Sequence, residues 1–159
     1  MILFHGSLEI VESPKILEAN RPLDFGRGFY TTTDLPQARR WVRLRLEQQK
    51  ATMGYINVFE YSAKKELHTR HFQSANEAWV DFVHANRTMQ GYDHDFDIVS
   101  GPVANNNVYL SFNLYESGFI SKAELIRRLK TYKLVNQYLF HTVRALETLV
   151  YKGCKEVMR

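Results

Sequence analysis

The chain has 159 residues, 45% of them hydrophobic and 24% charged, with a formal net charge of +4 at pH 7. Those values fit one globular domain spanning residues 1–159, large enough to bury a core without staples. The single cysteine, Cys154, excludes an intramolecular disulfide and a cysteine metal cluster, and no apolar stretch approaches the ~18 residues of a membrane span.

One cysteine also points to a reducing compartment, and no basic segment leads into an apolar run as in a signal peptide. A cytoplasmic protein that does not engage the membrane is the expectation. The modest positive charge is compatible with an anionic ligand or nucleic acid and proves neither. The 10 Phe, 9 Tyr and 2 Trp supply more aromatic surface than a core alone needs, so some should line a pocket.

Ile2-Leu3-Phe4-His5-Gly6 reads as a first buried strand. Ser13-Pro14 is placed to open a short helix through Glu18. Next comes Asp24-Phe25-Gly26-Arg27-Gly28, a tight turn leading into the strand Phe29-Tyr30-Thr31-Thr32. Asp34 is an N-cap with Pro36 in the first turn; Ala38, Trp41, Val42 and Leu46 form the inward face of the helix that follows. Arg39, Arg40, Arg43 and Arg45 lie around its other side, either as a solvated surface or as a basic patch for nucleic acid or pyrophosphate.

Gly54–Tyr61 alternates as a strand, and Lys64–Phe72 reads as a polar connection. Ser74 and Glu77 have capping-box spacing before a helix carrying Trp79, Phe82, Val83 and Asn86, stopped near Gly91. Trp79 and Phe82 are expected in the core. Asp95–Pro102 is a strand ended by Gly-Pro. Ala104–Asn107 reads as a polar turn, and Val108–Tyr115 is compatible with strand or helix. Ser121 and Glu124 form a second capping box over Leu125, Ile126 and Leu129. Asn136–His141 is a late strand with Gln137 near its start, and Thr142 caps a last helix with Val143, Leu146, Leu149 and Val150 inward, stopped by Gly153. Strands and helices mix without regular β-α-β alternation, which defines an α+β domain.

Two kinds of chemistry fail on spacing. The six histidines have no familiar ligand spacing supported by cysteine or carboxylates, and the acidic group around His94 lacks the glycine and terminal glutamate of a calcium loop, so no metal is expected. Ser7, Ser100 and Cys154 lack a nucleophile-elbow context, and no phosphate loop is present.

What remains is an ordered set: His5-Gly6-Ser7, then Tyr30-Thr31-Thr32, then Gln137. It resembles the ADP-ribosyltransferase fold, and more closely a bacterial family of ADP-ribosyltransferase-like proteins often encoded beside a small partner as toxin–antitoxin pairs. The residues carrying the resemblance are His5-Gly6-Ser7, Asp24-Phe25-Gly26 with Gly28–Thr32, Gln37-Ala38 with Trp41, Trp79 with Phe82 and Asn86-Arg87, Tyr92 with Asp97–Val99, Gly101–Asn105, and Gln137 with Phe140. The resemblance implies a split mixed sheet with flanking helices, NAD as substrate, transfer to a protein or nucleic-acid acceptor, and a small antitoxin partner.

On that reading Tyr30 offers an aromatic face to the pyridinium, a contact of about 0.5–2 kcal/mol. The Gly6 backbone holds the nicotinamide amide, His5 the ribose hydroxyls, and Ser7 or Thr31 adds a contact. Arg27 and Arg87 suit the pyrophosphate as forked donors. Gln137 orients a ribose hydroxyl in the late-strand position, and Asn105 and Asn106 belong to a loop touching ligand or target. Two departures stand out: Gln137 replaces the glutamate common at that position, and Asn106 stands where an aspartate is expected after Ala-Asn. They support an alternative, a catalytically disarmed module that binds a nucleotide or a partner. A third reading is a nucleic-acid-binding protein using the arginine cluster.

Overall fold

The computed structural model describes residues 1–159. Seven strands and five helices follow one another as β1 (Ile2–Ser7), β2 (Phe29–Thr32), α1 (Leu35–Gln49), β3 (Met53–Tyr61), β4 (Thr69–His71), α2 (Glu77–Thr88), β5 (Ile98–Pro102), α3 (Asn106–Glu116), α4 (Lys122–Leu129), β6 (Asn136–Phe140), α5 (Val143–Leu146) and β7 (Leu149–Met158). The strands form one mixed sheet in the order β4-β5-β6-β2-β1-β3-β7, parallel only between β4 and β5. This is the α+β architecture expected from the mixing of elements.

The middle of the sheet is its weakest seam. β1 is paired with β3 along its whole length, from Ile2↔Glu60 to Ser7↔Tyr55. β2 is likewise paired with β6 over all four of its residues. Between β1 and β2 the ladder holds at a single pair, Phe4↔Thr32. The sheet therefore consists of a four-stranded half and a three-stranded half that part beyond Phe4.

Each half carries its own core on one face. Helix α1 packs Ala38, Val42 and Leu46 onto Ile56 and Val157 of the three-stranded half. Helices α2, α3 and α4 cover the other half with Trp79, Val83, Val108, Phe112, Leu125 and Leu129. On the opposite face a shared cluster, including Leu3, Phe29, Phe59, Ile98 and Phe140, spans both halves and ties them together. The seam opens on the helical face, between α1 and α3.

Most helix starts follow from side-chain caps. Asp34 accepts the Gln37 N–H at 3.1 Å, and Ser121 accepts the Glu124 N–H at 3.1 Å, both as the spacing predicts. The cap of α2 is Asn76, which accepts from the Trp79 N–H at 3.0 Å, rather than Ser74. Asn105 caps α3 through the Val108 N–H at 3.0 Å, so the asparagine run expected as a turn is a helix start, because an asparagine carbonyl satisfies one of the four free N–H groups there. Trp79 is fully buried, and its indole N–H donates to the Pro102 carbonyl at 3.0 Å.

Three expectations are corrected. Ser13–Glu18 contains no helix, and the whole stretch between β1 and β2 is irregular. The expected polar connection contains β4, which adds to β5. The last helix ends at Leu146, and Leu149 onward is a ten-residue strand against β3. Val150, Tyr151 and Val157 favour a strand, and Gly153, with φ 115°, sits at a bulge where the register shifts between Val58 and Phe59.

Candidate functional site

A cleft of about 1570 Å³ opens over the seam. Its floor is His5-Gly6-Ser7 of β1, Phe29–Thr32 of β2 and Gln137 of β6; α1 walls one side, and Asn105, Asn106 and Tyr109 of α3 the other. The residues that the sequence brought forward from three distant strands therefore share one cavity.

The most informative of them is Gln137. It is 7% exposed, its side chain makes no hydrogen bond, and Nε2 is buried without a partner. Its backbone is in register with Thr32 on one side and Gly101 on the other. A buried amide donor left unpaired costs about 1–3 kcal/mol. The site thus presents a hydrogen-bond donor that the protein itself does not satisfy.

His5 bridges the opened seam. Its Nδ1 lies 2.7 Å from the Tyr30 carbonyl, and its ring stacks on Phe29 with centroids 4.3 Å apart. Only an N–H can meet that carbonyl, so Nδ1 carries the proton and the neutral ring keeps Nε2 as an acceptor. Burial lowers the His5 pKa, partly opposed by the bond to Tyr30, and this favours the neutral ring.

Gly6 is required by packing. A Cβ there would lie 2.8 Å from both the Ala38 carbonyl oxygen and a Val42 methyl, so only glycine lets α1 sit directly on β1. Ser7 Oγ accepts the Glu9 N–H at 3.1 Å. Thr31 is buried, and its hydroxyl donates to the Tyr138 carbonyl at 3.3 Å.

Tyr30 has a structural duty that the sequence did not reveal. Its hydroxyl donates to the Gly26 carbonyl at 2.5 Å and accepts the Phe25 N–H at 3.2 Å, closing the Asp24–Gly28 turn onto β2. Burial raises its pKa far above the ordinary phenol value. The turn is clamped from behind as well: His94 Nε2 donates to the Phe25 carbonyl and His141 Nδ1 to the Arg27 carbonyl, each at 2.6 Å, with the two rings stacked 4.1 Å apart. Gly28, with φ 148°, leaves no room for a Cβ, which would collide with the Phe140 carbonyl.

Neither arginine expected at the pyrophosphate lines this cleft. Arg27 lies with Asp93, His94 and His141 at a separate shallow depression and pairs with Asp93 at 3.4 Å. Arg87 is held by Asp24 at 3.9 Å and Glu116 at 3.7 Å and stacks over Tyr109 with its guanidinium carbon 4.8 Å from the ring centroid. Its charge is committed to that internal pairing. The exposed basic side chains that do line the cleft are Lys15, Arg21, Arg40 and Lys133, joined by the half-buried Arg45.

Sequence reasoning gave no role to Asp24, the one buried carboxylate lining the cleft. Burial raises its pKa, opposed by Arg87 and by the Tyr109 hydroxyl 3.4 Å away, while Tyr109 itself is pushed up to about 12 by burial and the neighbouring carboxylate. An aspartate directly before a glycine turn was the available signal. Trp41 was expected in the core and is instead 44% exposed in the cleft, because Ala38, Val42 and Leu46 already fill the α1 face against the sheet.

This is an α+β domain whose split sheet holds a deep cleft with an unsatisfied polar floor. The family described as "Protein of unknown function (DUF3990)" matches residues 1–151, nearly the entire chain, and the chain belongs to that family. No curated protein matches it.

Proposed function

We propose that this chain is an NAD-dependent ADP-ribosyltransferase built on an ADP-ribosyltransferase-like split sheet, acting in the cytoplasm as the toxin of a toxin–antitoxin pair with a small antitoxin. The observation that carries the reading is the buried, unpartnered Nε2 of Gln137 at the floor of the cleft, beside the opened seam of β1 and β2. It fits a ligand that brings a hydrogen-bond acceptor deep into the protein, such as a ribose hydroxyl oxygen. The free Nε2 of neutral His5 is the complementary acceptor for a second hydroxyl.

The Gly6 backbone and the Tyr30 ring are the cleft's groups for the nicotinamide amide and its ring. Arg21 and Lys133 take the place of Arg27 and Arg87 as the cations for the pyrophosphate. When the glycosidic bond breaks, positive charge moves from the pyridinium to the ribose, so a dipole near the ribose lowers the barrier. Gln137 supplies such a dipole through its amide carbonyl. It also orients a hydroxyl, and it removes no proton.

Titration calorimetry with NAD tests the site. Binding by the wild type that weakens about tenfold in Gln137→Leu, the loss of one ~1.4 kcal/mol hydrogen bond, supports it. Equal binding by the two proteins sinks it. Label from NAD that becomes fixed in lysate macromolecules then establishes transfer.

A second reading has its own support: a nucleotide- or partner-binding module without turnover. Its basis is an amide at Gln137 together with an Asp24 carboxylate already engaged by Arg87 and Tyr109. Nicotinamide release that appears only in Gln137→Glu or Asn106→Asp decides for this reading.

A further inference from the structure

Helix α1 carries four arginines, and none of them takes part in an ion pair; the arginines that do are Arg27, Arg87, Arg127, Arg128 and Arg144. Arg127 and Arg128 show the usual arrangement, both bonded to Glu124 within one helical turn. On α1 the nearest helical carboxylate, Glu47, stands one turn beyond Arg43 and bonds to none of them. Four unneutralised guanidinium groups on one helix repel each other and attract an anion of matching length.

The face that α1 turns to the cleft is Gln37, Trp41, Leu44 and Gln48, at spacings of three and four residues. Arg40 flanks this stripe on one side and Arg45 on the other; Arg39 and Arg43 continue the charge around the exposed surface. Trp41 and Leu44 are each 44% exposed. An indole standing open between two guanidinium groups is a stacking platform bordered by phosphate contacts, which is how single strands are held without sequence readout. An acidic peptide would satisfy the charges but offers no flat π surface for the indole.

We propose that the cleft face of α1 binds single-stranded nucleic acid, with a base on Trp41 and backbone phosphates on Arg40 and Arg45. Resting on the function proposed above, this strand is the acceptor. The bond from ribose C1′ to nicotinamide breaks with its electron pair leaving on the nicotinamide. C1′ then bonds a nucleophilic nitrogen or oxygen of the strand, whose proton passes to solvent.

The test uses the full chain and a fluorescent oligouridylate. Because Trp79 is fully buried, quenching of intrinsic tryptophan fluorescence reports Trp41. The expected results are quenching on binding, a loss of affinity of about tenfold or more in Trp41→Ala, and a log–log salt slope shallower by about 0.7 for each arginine replaced in Arg40→Gln and Arg45→Gln. No binding, binding indifferent to salt, an unchanged Trp41→Ala affinity, or equal affinity for polyglutamate overturns the proposal. NAD titration of the same wild-type preparation separates the two readings. Oligonucleotide binding without NAD binding leaves the α1 face standing and removes the transferase; NAD binding without oligonucleotide binding removes the α1 proposal alone.

Discussion

Asp97, at the entry to β5, and Gln137, on the adjacent strand β6, are each more than nine-tenths buried, yet they are treated oppositely. Asp97, just before β5, is saturated: Thr142 donates at 2.6 Å, Arg144 at 2.8 and 2.5 Å, and the His68 N–H at 2.8 Å. Gln137 on β6 receives nothing. A buried polar group that the fold needs is paired by the fold, whereas one left unpaired imposes a cost without a structural return. The contrast separates the part of the molecule that holds the sheet together from the part held ready for something else.

The largest effect should come from breaking the saturated member. Asp97→Ala leaves the His68 N–H and the Thr142 hydroxyl without their partner and should lower unfolding free energy by about 3 kcal/mol in denaturant titration. Its arginine and hydrogen-bond partners hold the Asp97 pKa well below the usual carboxylate range. The stability it contributes is therefore present above the unfolded pKa of ~3.9 and is lost as pH falls below that value toward the folded one. Asp97→Asn should flatten this acid limb, and an unchanged limb would dissolve the comparison.

Tyr30→Phe is the next in size. It strips the Asp24–Gly28 turn of two hydrogen bonds and should cost about 2 kcal/mol, measured as a lower thermal midpoint. Gln137→Leu sharpens the comparison from the other side: it removes an unsatisfied donor, so stability should stay within about 1 kcal/mol of the wild type or rise. A large destabilisation would show that Gln137 serves the fold after all.

The smallest expected effect is in pH. The His5 pKa is lowered by burial, so any stability or ligand affinity that depends on its neutral ring is present above the ordinary histidine value of ~6.5 and is lost as pH falls through the folded value. NAD affinity measured downward from neutrality should decline there, and His5→Asn should remove the decline.

Much of the fold was legible because local signals and burial agreed. Asp34 and Ser121 cap where spacing says they should, and β2, β3, β5 and β6 follow their apolar patterns. The end of the chain misled because Val143, Leu146, Leu149 and Val150 have helical spacing; Val143 is 71% and Val150 57% exposed, and pairing with β3 decided the outcome. No local pattern announces a partner strand so distant in sequence. Of the residues that sequence put forward for one site, His5, Gly6, Ser7, Tyr30, Thr31, Gln137 and the two asparagines line one cleft. Arg27 and Arg87 were misplaced because a guanidinium's role depends on which carboxylate reaches it first, and Asp24, Asp93 and Glu116 arrive from other elements. Trp41 was misjudged because helical periodicity places a residue on a face without showing that the sheet beneath ends short of it.

The cluster of Leu3, Phe29, Phe59, Ile98 and Phe140 lies on the far side of the sheet from the helices, yet it spans both halves across their single shared pair. It acts as the spine of a book whose pages are the two half-sheets. The Phe29 and Phe59 rings meet edge to face there, with centroids 5.6 Å apart, and Phe59 does not line the cleft. Of these five only Phe29 also lines the cleft, so aperture and lining are set largely by different residues. Trimming Phe59 or Phe140 would change how far the pages stand apart while leaving every group that faces the opening chemically intact.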